Sequence, residues 1–202
     1  RAETTHAITA AEAAQKTWAA TPAKQRGQIL RRWFELMMEN QDDLGRIMTA
    51  EQGKPLPEAK GEVAYGASFV EFFAEEARRI YGETIPSPWP NARIVAIKQP
   101  VGVVAAITPW NFPINQVVRK ASAALATGCS IIVKGPEDTP GSCAQLIKAF
   151  VDAGVPAGVI QLVYGVPSEI SEYLIPHPTI KKISFTGSTA VGKHLAALAG
   201  AH

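Results

Sequence analysis

The second half of the chain alternates short apolar runs with longer amphipathic runs, and this alternation restricts the fold more than any other feature. Four apolar runs predict strands, at residues 101–107, 129–134, 159–163 and 181–185. The runs between them predict helices at 113–127, 140–153 and 168–175. A repeated strand–helix–strand order packs as a parallel sheet, because each crossover helix returns the chain to the same edge. The prediction is therefore an α/β fold with a doubly wound parallel sheet.

The first 82 residues have a different pattern, with helical periodicity and no motif that carries chemistry. Helices are predicted at about 22–40, 42–52 and 57–80, the first of them opened by Thr21 as N-cap and Pro22 in the first turn. Three prolines at 86–90 and a weak alternation after them predict an extended arm. We therefore divide the chain into a helical part at 1–82, an arm at 83–99 and a sheet part at 100–202.

Composition argues against several classes of partner. The net charge of +2 over 202 residues is close to neutral, which does not indicate binding to nucleic acid or to a membrane surface. No apolar run is long enough to cross a bilayer, and the first residues lack the apolar core of a signal peptide. The two cysteines, Cys129 and Cys143, show neither metal-type spacing nor a disulfide pattern. No metal site is predicted, and the expected compartment is the reducing cytoplasm.

One amide side chain follows the first predicted strand, in the segment ITPWNFP at 107–113. Ligands of open α/β sheets bind beyond the carboxyl ends of strands, and Asn111 lies in such a strand-to-helix loop. Its N–H donor stays neutral at every working pH and suits an oxyanion that develops at a reacting carbonyl. The alternative is an asparagine that only caps or turns the loop.

Charged or glycine-rich residues follow the other three predicted strands. Lys134 closes the second strand, and Glu137 lies where a carboxylate can accept hydrogen bonds from ribose hydroxyls and repel a 2′-phosphate. Gly165 follows the third strand and permits close approach of the backbone to a ligand. Gly187 and Ser188 open the last helix, whose N-terminus can bind an anion, although no G-x-G-x-x-G fingerprint is present. The alternatives are a solvated loop, a strand-ending glycine and an ordinary helix cap.

Together these segments resemble the aldehyde dehydrogenase superfamily. The resemblance is carried by ITPWNFP at 107–113, Gly128-Cys129, KGPEDTP at 134–140 and FTGSTAVG at 185–192, in the family's order and spacing. Residues 61–76 and 81–86 look most like the succinate-semialdehyde dehydrogenase branch. The resemblance implies the family's Rossmann-like cofactor domain, with NAD expected and NADP less favoured. It also implies a homodimeric or homotetrameric parent enzyme, with 83–99 as part of the oligomerisation arm.

The resemblance also implies a mechanism and a set of site residues. In the family, a cysteine thiolate attacks the aldehyde, hydride passes to the nicotinamide, and a glutamate activates the water that releases the acid. The amide that holds the oxyanion matches Asn111, which is therefore the catalytic candidate. The cofactor-binding candidates are Thr108, Pro109, Trp110 and Asn111 beside the nicotinamide half, Lys134 and Glu137 at the adenine ribose, and Gly165, Gly187, Ser188 and Val191 around the adenine and pyrophosphate.

Arg119 is a charged residue in an otherwise apolar predicted helix, eight positions after Asn111. In the succinate-semialdehyde branch, an arginine at this spacing contacts the distal carboxylate of the substrate, and a fork-shaped guanidinium suits a carboxylate. A structural ion pair with an acidic side chain is the alternative. Lys120 is expected to be a solvated neighbour.

Family members continue after the position that matches His202, into the general-base glutamate, the nucleophilic cysteine and the catalytic domain. Neither cysteine of this chain lies in the nucleophile's sequence context, although a first-turn position could lower the pKa of Cys143. We therefore expect the parent enzyme to oxidise a semialdehyde such as succinic semialdehyde, and this fragment alone to be inactive. Two alternatives stay open: a non-catalytic NAD-binding or assembly module, and a fragment of a coenzyme-A-acylating aldehyde dehydrogenase.

Overall fold

The structure, a computed structural model, describes residues 1–202 and follows the two-part pattern of the sequence. Four helices come first: α1 (Ala2–Ala20), α2 (Ala23–Glu39), α3 (Gln41–Gln52) and α4 (Leu56–Glu76). A short antiparallel hairpin follows, made of β1 (Glu83–Ile85) and β2 (Ile94–Ala96). Strands and helices then alternate: β3 (Val103–Ile107), α5 (Asn115–Ala126), β4 (Ile131–Lys134), α6 (Pro140–Asp152), β5 (Ile160–Val163), α7 (Pro167–Leu174), β6 (Ile180–Phe185) and α8 (Thr189–Gly200).

The last four strands form one parallel sheet in the order β5-β4-β3-β6, which confirms the predicted α/β fold. Their register pairs Ile107 with both Lys134 and Phe185, and Lys134 with Val163. The four carboxyl ends therefore meet at one edge of the sheet. The central strands β3 and β4 are buried along their whole length, whereas the edge strand β6 is only half-buried or exposed.

One hydrophobic core joins the N-terminal helices to the sheet, and α5 is part of it. The predicted apolar stripe of α5 is fully buried: Ile114, Val117, Val118, Ala121 and Leu125. Helix α4 packs closely on this stripe at Gly66, where a Cβ would come within 3.2 Å of Ile114 and 3.3 Å of Val118. Because a larger residue would push the two helices apart, Gly66 sets the separation between α4 and the helix that follows Asn111.

Two buried tryptophans connect the helical part to the sheet part. Trp18 of α1 donates a hydrogen bond from its indole N–H to the carbonyl of Leu125, at 3.2 Å. Trp33 of α2 donates to the carbonyl of Leu146, at 3.1 Å, and its ring centroid lies 4.5 Å from that of Phe150. Each indole therefore combines apolar burial with a satisfied polar atom, as a buried tryptophan requires.

The structure corrects several local predictions. The predicted helices did not include residues 2–20, which form α1. Thr21 is not the N-cap of α2, because Pro22 takes that position and the Thr21 hydroxyl donates to the carbonyl of Thr17 at 2.9 Å. Helix α4 ends at Glu76, and a short 3₁₀ turn replaces its predicted last residues. Strand β3 begins two residues later than predicted, because Gly102 has a φ of 115°, outside the extended region.

None of the eight helices combines the length and the apolarity that a membrane-spanning helix needs.

Candidate active site

The carboxyl edge of the sheet brings together the four loops that the sequence singled out. Asn111 follows β3, Lys134 ends β4, Gly165 follows β5 and Ser188 follows β6. Because the strand ends are in register, residues that are 23 to 77 positions apart in the sequence reach one surface. This is the edge at which open parallel sheets bind their ligands.

The Asn111 side chain is exposed in the loop between β3 and α5, and its amide makes no hydrogen bond within the chain. Only its backbone carbonyl is held, by the Lys54 ammonium at 2.9 Å. The alternative of a simple helix cap does not fit this geometry, because the N-terminus of α5 is capped by Glu62 instead. The amide is therefore free to donate to a ligand.

Lys54 and Glu62 are two residues of this site that the sequence reasoning missed. The sequence of the helical part showed no motif that carries chemistry, yet Lys54 contacts the Asn111 loop and Glu62 contacts the start of α5. A usable signal was present, because Glu62 is a carboxylate on the buried stripe of α4, beside Val63 and one turn before Gly66. A charge at such a position is nearly always paired.

Lys134 and Glu137 form an ion pair at the end of β4. The lysine side chain is only 3% exposed, whereas the glutamate side chain is 40% exposed and accessible to a ligand. Thr108 is turned toward this strand, since its hydroxyl and its N–H both donate to the carbonyl of Lys134, at 3.2 and 3.3 Å. Pro109 is half-buried and Trp110 is exposed beside it.

Different local constraints favour glycine at the two candidate positions, Gly165 and Gly187. Gly165 is exposed and has a φ of 139°, a backbone conformation that side chains disfavour. Gly187 meets a steric limit instead, because a Cβ there would overlap the ring of Phe185. Both requirements arise within the chain itself.

Helix α8 begins with a serine cap and two unused donors. The Ser188 hydroxyl accepts a hydrogen bond from the N–H of Val191 at 3.4 Å, so Ser188 is the N-cap of α8. This agrees with the alternative of an ordinary helix cap. The N–H groups of Thr189 and Ala190 donate to no acceptor in the chain. Free N–H groups and the positive end of the helix dipole attract an anion. The cap and a role in anion binding are therefore compatible.

Arg119 lies on α5 without a carboxylate partner within ion-pair distance. Its guanidinium is instead 4.8 Å from the centroid of the Phe69 ring on α4. A groove surrounds this contact, and its other lining residues are aromatic or small: Tyr65, Ser68, Phe72 and Phe73. The structure thus gives no support to the alternative of a structural ion pair. A cation that rests on an aromatic face and lacks an anion is suited to accept an anionic ligand.

Lys120 is not the solvated neighbour that the sequence predicted. It is half-buried, and its ammonium donates to the Thr186 hydroxyl at 2.7 Å and to the Gln116 side-chain oxygen at 3.2 Å. Burial, and then the adjacent charge of Arg119, lower the pKa of Lys120 from its ordinary 10.5 to about 8. The prediction was wrong because it considered α5 alone, whereas Thr186, in the loop after β6, contacts this side of the helix.

We expect Lys120 to lose its proton near pH 8 in the folded chain. Between pH 8 and 10.5 the unfolded chain binds more protons at this residue than the folded chain, so its contribution to the free energy of unfolding rises with pH across that window. The titration can be followed by NMR of ¹³C-dimethylated lysines, with Lys120→Met to assign the resonance. A Lys120 resonance that titrates only above pH 10 would contradict this expectation.

Neither cysteine has the environment of a nucleophile. Both are buried. Burial raises the pKa of the Cys143 thiol to about 12. The expectation that a first-turn position could lower this pKa was therefore wrong, because desolvation of the thiolate outweighs the helix dipole.

A parallel sheet with four loops at its carboxyl edge, one of which opens a helix with free N–H groups, is typical of the α/β domains that bind nucleotides. The model of the family described as "Aldehyde dehydrogenase family" matches residues 1–202. The chain belongs to the aldehyde dehydrogenase family, which confirms the resemblance seen in its motifs.

Semialdehyde dehydrogenases are among the similar proteins. A glutarate-semialdehyde dehydrogenase of Pseudomonas putida (strain KT2440) is 56% identical over 194 residues, which are 96% of this chain and 40% of that protein. A succinate-semialdehyde dehydrogenase of Escherichia coli (strain K12), whose name specifies NADP(+), is 54% identical over 193 residues, with the same coverage. The crystal structure of succinate-semialdehyde dehydrogenase from Burkholderia pseudomallei gives a TM-score of 0.97 at 53% identity, over 99% of this chain and 42% of that one. The chain thus spans about two fifths of the length of these relatives.

Proposed function

We propose that the protein containing this chain oxidises a semialdehyde that carries a distal carboxylate, with NAD as the hydride acceptor. The family supports aldehyde oxidation, and the relatives named for glutarate and succinate semialdehydes support a substrate with a second, acidic end. The observation that carries the proposal within this chain is Arg119, a guanidinium without an anionic partner in an aromatic groove.

The packing of α4 on α5 supports the pairing of Asn111 with Arg119 in one substrate site. Glu62 of α4 contacts the start of α5, and Phe69 contacts Arg119 two turns later. Seven residues of helix extend about 10 Å. This distance suits a short chain whose aldehyde lies at Asn111 and whose carboxylate meets the side chain of Arg119. The amide N–H of Asn111 then donates to the aldehyde oxygen as negative charge develops there.

The residues at the carboxyl edge fit an NAD molecule. The free N–H groups of Thr189 and Ala190, with the Ser188 hydroxyl, are donors for a pyrophosphate. Glu137 presents an accessible carboxylate for ribose hydroxyls, and its pairing with the buried Lys134 holds it at the strand end. When bound, NAD supplies the acceptor for the hydride that leaves the aldehyde carbon. The role of these residues is to bind NAD and to orient it.

We assign the nucleophile to a part of the protein outside residues 1–202, because both cysteines here are buried. The resemblance to the family implies the same for the general-base glutamate. We also propose that the hairpin of β1 and β2 serves assembly. Its apolar side chains are exposed rather than packed, among them Ile85, Trp89, Val95 and Ile97. Exposed apolar side chains on a projecting hairpin are suited to a contact with another subunit.

Oxidation of succinic and glutaric semialdehydes by the full-length gene product tests this function, with NADH absorbance as the readout. Arg119→Gln is expected to raise the KM for both semialdehydes by about 10- to 100-fold, the worth of a charge-assisted hydrogen bond. The KM for butanal, which has no carboxylate, should change little.

Arg46→Gln serves as the matched control, since Arg46 is an exposed arginine on α3. It should leave both KM values unchanged. An equal change in KM for butanal and for succinic semialdehyde would contradict the role given to Arg119. A wild-type protein that forms no NADH from any aldehyde would contradict the function itself.

A further inference from the structure

A buried ion pair between Lys54 and Glu62 lies against the Asn111 loop. The two side chains are 12% and 1% exposed. Lys54 belongs to the connection between α3 and α4, and Glu62 lies on α4, so neither is near residue 111 in the sequence. Burying two charges is costly unless further hydrogen bonds satisfy them, so the remaining contacts of this pair are informative.

The carboxylate of Glu62 caps the helix that follows Asn111. Its Oε1 accepts the backbone N–H groups of Ile114 and Asn115, both at 3.1 Å, while its Oε2 pairs with Lys54. The first N–H groups of a helix lack partners within it, and negative charge is favourable at that end. Helix α5 has no side-chain cap from its own N-cap residue. Helix α4 therefore supplies the cap that the local sequence lacks.

The ammonium of Lys54 holds the other side of the same loop. It donates to the backbone carbonyl of Asn111 at 2.9 Å and lies 4.0 Å from the centroid of the Phe112 ring. An ammonium has three N–H donors, and here a carboxylate, a carbonyl and an aromatic face surround it. The ion pair thus binds the backbone before and after residue 113, while the side-chain amide of Asn111 stays free.

We propose that Lys54 and Glu62 are positioning residues that hold the Asn111 amide in place for the aldehyde oxygen. This inference rests on the proposed function of Asn111. The pair acts through the backbone, because its charged groups are taken up by each other and by the loop. A donor stabilises an oxyanion only when it is already oriented, and a displacement of about 1 Å can lower the rate about 100-fold.

A double-mutant cycle in the full-length gene product tests the proposal. The combined substitution Lys54→Met with Glu62→Gln removes both charges, so no buried charge is left unpaired. We expect kcat to fall about 10- to 100-fold while the Kd for NAD is unchanged. In the Asn111→Ala background the same substitution should lower kcat less than about threefold, because the donor that the pair positions is already absent.

Lys60→Met is the matched control, since Lys60 also lies on α4 and its ion pair with Asp42 is at the surface. It should leave kcat within about twofold of the wild type. If the combined variant does not fold, Glu62→Gln alone replaces it, because the amide oxygen can still accept the two N–H groups and only the charge is lost.

Hydrogen exchange of the peptide that contains residues 108–116 gives a second readout without catalysis. Exchange there should be faster in the combined variant and unchanged in Lys60→Met. Unchanged exchange in the combined variant, or an equal fall in kcat with and without Asn111, would overturn the positioning role. Full activity of Asn111→Ala would instead overturn the proposed function of that residue, and the exchange result would still decide whether the pair holds the loop.

Discussion

Replacing Asn111 with alanine is expected to lower kcat for semialdehyde oxidation by about 10²- to 10³-fold, the loss typical of one removed oxyanion donor. The side-chain amide has no hydrogen-bond partner in the chain, so its removal breaks no internal hydrogen bond. The free energy of unfolding should therefore stay close to its wild-type value. Steady-state kinetics of the full-length gene product, with NADH formation as the readout, measure the effect.

Two further variants make the result specific. Asn111→Asp keeps the size of the side chain but presents a carboxylate to the developing negative charge, so it should be at least as damaging as alanine. Asn40→Ala is the matched control, because the Asn40 amide donates to the Leu36 carbonyl at the end of α2, at 2.8 Å. Asn40→Ala should change only the free energy of unfolding and leave kcat unchanged. A kcat for Asn111→Ala within twofold of the wild type would show that another group holds the oxyanion.

Replacing Glu137 with serine is expected to change the preference between NAD and NADP by about 100-fold in the ratio of their kcat/KM values. Two effects add. The accessible carboxylate that repels a 2′-phosphate is removed, and Lys134 loses its ion-pair partner, so its charge becomes available to that phosphate. The loss of a charge-assisted hydrogen bond to the ribose should weaken NAD at the same time.

Asp138→Ser is the matched control for this substitution. Asp138 is the adjacent carboxylate and is also exposed, but it makes no ion pair with Lys134. Its replacement should leave the ratio within about threefold. The E. coli relative named for NADP(+) shows that relatives at this level of similarity include NADP-linked enzymes. A Glu137→Ser protein that still prefers NAD as strongly as the wild type would place the selectivity elsewhere.

The sheet and its loops were predictable because the signals are local. Each apolar run, each proline or glycine at a helix end and each loop motif lies within one short window, and the parallel order follows from the connections. The stripe of α5 that ends in Leu125 was read from its 3.6-residue period and is buried as predicted. Errors of one or two residues occurred where a single glycine, such as Gly102, ends the extended conformation.

The charged residues were predicted less well, because the state of a charge depends on what packs against it. Lys120 and Arg119 are neighbours in the sequence, yet the first is half-buried and bound to Thr186 in the loop after β6, while the second rests on an aromatic ring of α4. Cys143 illustrates the same point, since burial reverses the pKa shift expected from its helix position. Nothing within a short window of sequence reports these neighbours.

The sequence by itself determined the α/β class, the parallel sheet and the set of loops at its carboxyl edge, because backbone propensity and hydrophobic period act within a few residues. Tertiary structure alone decided which side chains in those loops are free to act. The pairing of Glu62 with the start of α5, and of Lys54 with the carbonyl of Asn111, joins segments about 50 residues apart or more. Desolvation and hydrogen-bond partners are properties of the packed chain, and they decide the protonation and orientation on which chemistry depends.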